Sequence, residues 1–165
     1  IVDNAVIQYE WTNVLDQAPE DFESQFKSCV MQNVNTAKAF LPAMKEKGYG
    51  RMIGINTECA MQCFQNQAAY VSGKRGMDGI MRVLAKEAGP YGITVNQVAP
   101  GWTISDRDRE NGTEVQPESD QLIPLRRRGT DQEVANGVLF LASELASYIT
   151  GVYLPVCGGN VMPRI

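Results

Sequence analysis

Apolar residues return along this chain at two spacings, and the switches between them mark out its elements. Over residues 67–86, QAAYVSGKRGMDGIMRVLAK, the positions Gly73, Met77, Ile80, Met81 and Leu84 recur at steps of three and four, the spacing of one helix face. The same spacing joins Phe22, Phe26, Cys29, Val30, Ala37, Phe40, Leu41 and Met44. Pro19-Glu20-Asp21 opens that helix with a proline in the first turn and acids against the positive end of the dipole, and Gly48-Tyr49-Gly50 stops it. Thr130 and Glu133 form a capping box for a third helix reaching about Ser147, with Val134, Val138, Leu141, Ala142 and Leu145 on its apolar face. Residues 51–57 (RMIGINT) and 93–100 (ITVNQVAP) are instead continuous apolar runs, the pattern of buried strands. Residues 1–6 read as the tail of a strand and 150–156 as the last one, while 58–66 is a connecting loop. Residues 106–120, DRDRENGTEVQPESD, are polar and without period, and read as loop.

Composition narrows the chemistry. At 165 residues the chain is long enough for one domain with a sizeable core, and its 44% hydrophobic and 21% charged residues are ordinary for a globular protein. A net charge of −4 and a pI near 4.9 argue against nucleic acid or an anionic membrane as the main partner. No apolar run approaches the ~20 residues needed to span a bilayer, and no signal peptide is visible. Cys29, Cys59, Cys63 and Cys157 show neither CxxC spacing nor the framework of a small secreted fold, so reduced thiols in a cytoplasmic protein are the simplest account. There is no histidine, which removes Ser-His-Asp and Cys-His catalysis and most zinc sites; the four-residue step from Cys59 to Cys63 has no further ligand, and no metal is expected.

Tyr70 and Lys74 stand four positions apart on the 67–86 helix and so share a face. An ammonium beside a phenol stabilises the phenolate and lowers a pKa that is otherwise near ~10, which would make the two a proton-transfer unit. Taken alone, the pair is better explained by a packed tyrosine and a solvated lysine. Its setting changes that. A hydroxyl residue at one strand end (Thr57), the Tyr-x-x-x-Lys helix, then a strand running into Pro100-Gly101 resemble the short-chain dehydrogenase/reductase family, most closely its 3-oxoacyl-reductase-like branch. LASELASYITG followed by Gly158-Gly159 is similar to the family's C-terminal signature, so the likeness covers nearly the whole chain.

The resemblance implies an α/β fold, the C-terminal part of a doubly wound parallel sheet, and an NAD(P)-dependent oxidoreductase that interconverts a small-molecule carbonyl and alcohol by hydride transfer. Tyr70 would protonate or deprotonate the substrate oxygen, Thr57 would orient it in place of the family's usual serine, and Lys74 would lower the Tyr70 pKa and bind the nicotinamide ribose. Besides Tyr70 and Lys74, the implied cofactor contacts are Asn4, Pro100, Gly101, Thr103 and Ser105. Asn4 lies in Asp3-Asn4-Ala5-Val6, which stands where the family has Asn-Asn-Ala-Gly, with Val6 replacing the glycine. Ser105 takes the hydroxyl position of the family's PG-x-x-x-T segment. Cys29 falls where the family has an asparagine that holds a relay water for the lysine; Asn33, one turn later on the same face, reads as a buried, satisfied polar group, with service in place of that asparagine as the other reading. The 106–120 segment corresponds to a lid, and Arg126-Arg127-Arg128 reads as a solvated basic patch, with an anionic substrate group as the other reading.

The family's Gly-rich pyrophosphate turn is not in the sequence, and with it goes the residue that would read the ribose 2′ position and choose NAD or NADP. If the strand order 3-2-1-4-5-6-7 holds, residues 1–165 form a single, incomplete domain supplying strands 4-5-6-7. The expectation is therefore a truncated chain. The helices before and around Tyr70 correspond to the family's four-helix dimer contact, which implies a homodimer or homotetramer. The alternative to an enzyme is a truncated, non-catalytic relative acting as a dimeric binding or assembly module.

Overall fold

The computed structural model describes residues 1–162. Four parallel strands form one sheet in the order β1 (Val2–Asp3), β2 (Gly50–Ile55), β3 (Ile93–Pro100), β4 (Tyr153–Val156). β2 and β3 form the centre, in register from Gly50 opposite Ile93 to Ile55 opposite Val98. β1 pairs Val2 with Ile53, and β4 pairs Tyr153 with Gln97. The apolar runs become strands because helices cover both faces and successive side chains point to opposite sides. Met52, Ile93 and Val95 join Met77, Met81, Ala85 and Leu41 in one core, whereas Ile53 and Val98 meet Leu141 and Ala146 in the other.

The first core is built by α1 (Pro19–Gln25), α2 (Gln32–Lys47) and α4 (Ala68–Ala88), the second by α7 (Asp131–Ala142). α1 and α2 are one rod, interrupted by a widened π turn at Phe26–Met31. That turn rotates the apolar stripe off its regular spacing, so Cys29 and Val30 are buried while Phe26 is left 52% exposed. The stop at Gly48 is as expected, with φ +63°.

Other boundaries depart from the sequence reading. The strand expected over 51–57 ends at Ile55, although Asn56 N–H still donates to Val98 O at 2.7 Å and Glu58 N–H to Pro100 O at 2.9 Å. A short helix, α3 (Cys59–Gln62), occupies the connecting loop. α7 ends at Ala142, where Ser143 turns the chain and caps a separate turn, Glu144–Ala146; Leu145 is therefore 83% exposed rather than part of the apolar face. The segment 106–120, read as loop, holds α5 (Asp106–Asn111) and α6 (Pro117–Asp120). Among the described residues no helix is long and apolar enough to cross a membrane.

The π turn packs directly on α4 at Gly73, where a Cβ would lie 3.2 Å from the Gln25 carbonyl oxygen and 3.4 Å from Cys29 Cβ. Backbone cannot retreat from a larger side chain. Gly73→Val is expected to cost about 1–3 kcal/mol through overpacking, read as a lower urea midpoint at unchanged m-value.

Candidate active site

The C-terminal ends of β2 and β3 and the first turns of α4 converge on one point. There Lys74 is only 4% exposed, and its Nζ donates to Ile55 O at 2.6 Å while lying 5.9 Å from the centre of the Tyr70 ring. Burial pushes the Lys74 ammonium down from its ordinary pKa. The Tyr70 phenol is pushed up to about 12, chiefly by burial, against hydrogen bonding from Thr57 and Gln8 that pulls it back. The expectation that the lysine lowers the phenol is thus corrected in this arrangement. Desolvation dominates, and the ammonium is engaged with the Ile55 carbonyl.

Thr57 sits at the bend where the chain leaves the sheet. Its N–H donates to Asn56 Oδ1 at 2.9 Å, its Oγ accepts from Cys59 N–H at 3.2 Å, and its carbonyl accepts from the Tyr153 hydroxyl. The hydroxyl oxygen is partly spent on starting α3, but the hydroxyl proton remains to donate. In the π turn packed against α4, Cys29 Sγ donates to Gln25 Oε1 at 3.2 Å, and Asn33 Nδ2 donates to Cys29 O at 2.7 Å. Asn33 is buried as expected but only half satisfied: its Oδ1 has no partner among the described residues.

Two cavities flank this point. One, of about 190 Å³, is lined by Tyr70, Gln8, Trp11, Gln17 and Asn66. Its wall of residues 8–11 is tied down by Gln25 Nε2, which donates to Ile7 O, and by Thr12 N–H, which donates to Asn66 O at 2.9 Å. The sequence gives only a weak sign of it, aromatic and polar residues without period. The other, of about 480 Å³ and mostly apolar, is lined by Asn4, Pro100 and Thr103 with Val2, Ile55 and Val134. Gly101 lies behind it; a Cβ there would fall 2.7 Å from both Cys157 Cβ and Glu58 Oε2, so only glycine fits. The Thr103 hydroxyl donates to Gly101 O at 3.1 Å. Ser105 is not brought into this cavity. It is exposed and caps α5, its Oγ accepting from Asp108 N–H at 3.2 Å and donating to Asp108 Oδ2 at 2.6 Å.

Two buried charged side chains had no sign in the sequence. Glu58, next to Thr57 and 1% exposed, accepts from Asn160 Nδ2 at 3.1 Å through Oε1, while its Oε2 has no partner among the described residues; burial raises its pKa. Arg128 is 5% exposed, which corrects the reading of 126–128 as a solvated patch. Its Nη1 lies 3.1 Å from Asp108 and its Nε 3.7 Å from Asp120, and Nη2 donates to Thr113 O, so one guanidinium ties α5 and α6 to the entrance of α7. Hydrogen bonds from Ser105 and Arg128 hold the Asp108 carboxyl well below the usual carboxylate range. Arg126 and Arg127 are exposed, and Arg127 pairs with Glu133.

Residues 1–160 match the family model described as enoyl-(acyl carrier protein) reductase. Relatives include the 3-oxoacyl-(acyl-carrier-protein) reductase MabA of Mycobacterium tuberculosis, 38% identical over 87% of this chain and 58% of that protein. The corresponding FabG of Pseudomonas aeruginosa is 36% identical over 98% of this chain and 65% of its own length. Among solved structures, ElxO with NADP bound superposes with a TM-score of 0.88 at 26% identity, over 96% of this chain and 65% of that one. The chain thus spans less than two thirds of these proteins.

Two outcomes follow from the electrostatics. Arg128→Leu leaves Asp120 buried without its countercharge, and amide hydrogen exchange across 106–120 should speed by about tenfold or more while β2 and β3 stay protected. Tyr70 has a folded pKa of about 12, against about 10 for a free phenol. Its share of stability is therefore complete below pH 10 and lost as pH rises toward 12. Urea midpoints measured from pH 9 to 12 should fall less steeply in Tyr70→Phe.

Proposed function

The chain belongs to the short-chain dehydrogenase/reductase family, and we propose that it carries the catalytic side of an NAD(P)-dependent oxidoreductase that interconverts a small-molecule carbonyl and its alcohol. The observation that carries this reading is the meeting of Thr57, Tyr70 and Lys74 beside an apolar cavity lined by Asn4, Pro100 and Thr103. That cavity fits the nicotinamide end of the cofactor: its walls are apolar, with a few polar groups at the rim, and Gly101 lets the backbone of the Pro100 turn pack close. Asn4, Pro100, Gly101 and Thr103 would hold the ring, and Lys74 the adjoining ribose. A nicotinamide bound there supplies or accepts the hydride.

The side chains handle the proton. With a pKa of about 12 the Tyr70 phenol is protonated at neutral pH, so it enters carbonyl reduction as the acid and gives its proton to the substrate oxygen. Thr57 donates its hydroxyl proton to the same oxygen and orients it. As negative charge develops on the phenol, the Lys74 ammonium is the cation at hand to stabilise it, and the buried setting strengthens that interaction. In the alcohol-oxidising direction Tyr70 must first lose its proton, so oxidation should quicken as pH rises while reduction does not.

A second reading, a non-catalytic module that pairs with another copy, is favoured by Cys29 and by Phe40 and Val83, exposed on α2 and α4. The deciding comparison is Tyr70→Phe. On the catalytic reading it lowers kcat for carbonyl reduction by ~10²–10⁴-fold and leaves NADPH binding, followed by cofactor fluorescence, near wild type. Wild-type turnover in Tyr70→Phe defeats it. A chain that sediments as a stable dimer without binding NADH or NADPH supports the second reading.

A further inference from the structure

Three polar side chains interrupt the apolar face that the sheet presents to α4. Met52, Gly54 and Val95 pack there against Met77 and Met81, but further along that face stand Gln97 on β3 and Asn56 just past the end of β2, and both bond to residues of α4, Asn56 to the Lys74 carbonyl and Gln97 to Asp78. Asn56 is 3% exposed and Gln97 1%. They form one chain of hydrogen bonds. Thr57 N–H donates to Asn56 Oδ1 at 2.9 Å, Asn56 Nδ2 to Gln97 Oε1 at 2.7 Å, and Gln97 Nε2 to Asp78 Oδ1 at 2.8 Å. Asn56 Nδ2 also reaches the backbone carbonyl of Lys74 at 3.1 Å, and Arg82 closes the outer end on Asp78 at 2.8 Å.

Every donor in this chain points toward the Asp78 carboxylate, so the two amide dipoles are aligned head to tail and end on a negative charge, the arrangement in which each bond strengthens the next. Amides pass no proton along such a chain, since each nitrogen must keep both hydrogens to remain an amide, so it is not a relay. The fold does not need it either. Burying amides costs desolvation that their hydrogen bonds only roughly offset, and apolar side chains would serve the core as well. What the chain does fix is position. It grips α4 at two points one turn apart, the Lys74 carbonyl and the Asp78 side chain, and grips the strand end at the Thr57 N–H.

We propose that Asn56, Gln97 and Asp78 are positioning residues that set the Thr57 hydroxyl against Tyr70 and Lys74, a role that rests on the catalytic reading of those three. Sliding or rotation of α4 against the end of β2 would carry Tyr70 and Lys74 away from Thr57, and the brace opposes both movements. Misplacement on the scale of an ångström is enough to cost a large part of a rate.

The test separates holding the fold together from holding the site in place. Gln97→Met keeps the shape and cuts the chain in the middle; the triple variant Asn56→Ala/Gln97→Met/Asp78→Leu removes all three polar side chains together. Each is measured three ways: the urea midpoint, the Tyr70 phenol titration by NMR of ¹³C-labelled tyrosine, and kcat and KM for carbonyl reduction across pH. Gln97→Met should lose stability, shift the Tyr70 titration by about half a pH unit or more and lower kcat about tenfold with KM within about twofold. In the triple variant no buried side-chain amide is left unpaired and only the Thr57 N–H loses its acceptor, so the urea midpoint should recover part of the way toward wild type while the Tyr70 shift and the kcat loss persist. A triple variant that titrates Tyr70 and turns over as wild type overturns the proposal. Tyr70→Phe, assayed beside them, assigns the resonance and keeps the two claims apart: if it turns over normally the catalytic reading falls, while the Tyr70 titration still reports whether the brace positions the phenol.

Discussion

The rest of the molecule depends on the pairing of β2 with β3. These two strands are buried on both faces and lie in register from Gly50–Ile93 to Ile55–Val98. A parallel pair fixed in this way cannot slip by one residue without sending Met52 and Ile53 into each other's cores. It also brings their C-terminal ends, Thr57 and Pro100, to the same edge of the sheet, where the Glu58 N–H still donates to the Pro100 carbonyl. The candidate site lies at that edge because each crossover helix returns the chain to the opposite end and leaves the strand tips free to carry chemistry.

The second constraint is how α4 is held over this edge. Gly73 admits the widened turn at Phe26–Met31 to backbone contact, Met77 and Met81 seat the helix on the sheet, and Lys74 reaches back to Ile55. Packing and hydrogen bonding therefore act on successive residues of a single turn. Burial then shifts the pKa values here more than any charge pair does. It raises the Tyr70 phenol and the Glu58 carboxyl and lowers the Lys74 ammonium, in each case disfavouring the charged form.

At the rim the balance reverses. Arg128, buried between α5 and the start of α7, is countered by Asp108 and Asp120, which face it, and the polar segment 106–120 is structured through that guanidinium rather than through a core of its own. A segment with so little apolar surface would otherwise have no means of offsetting the entropy of ordering it.

The sequence by itself determined the elements whose cause is local. Two apolar runs became the central strands, three- and four-residue spacing became α2, α4 and α7, and Thr130 with Glu133 capped α7 as read. The Tyr70–Lys74 step was legible from helix periodicity, while Thr57 stood out through the family resemblance and lies two residues past the end of β2. Ser105 and Asp108 form the same kind of box, visible in the sequence as a serine and an acid three apart, but with aspartate in place of the usual glutamate and in a segment without an apolar stripe. Only the tertiary structure decided the rest, because the partners lie far apart in the chain: Arg128 and Asp108, Glu58 and Asn160, Asn56 and Gln97. The π turn leaves no mark on composition, and the direction of the Tyr70 shift is set by how much protein encloses the ring, a quantity that no spacing of residues encodes.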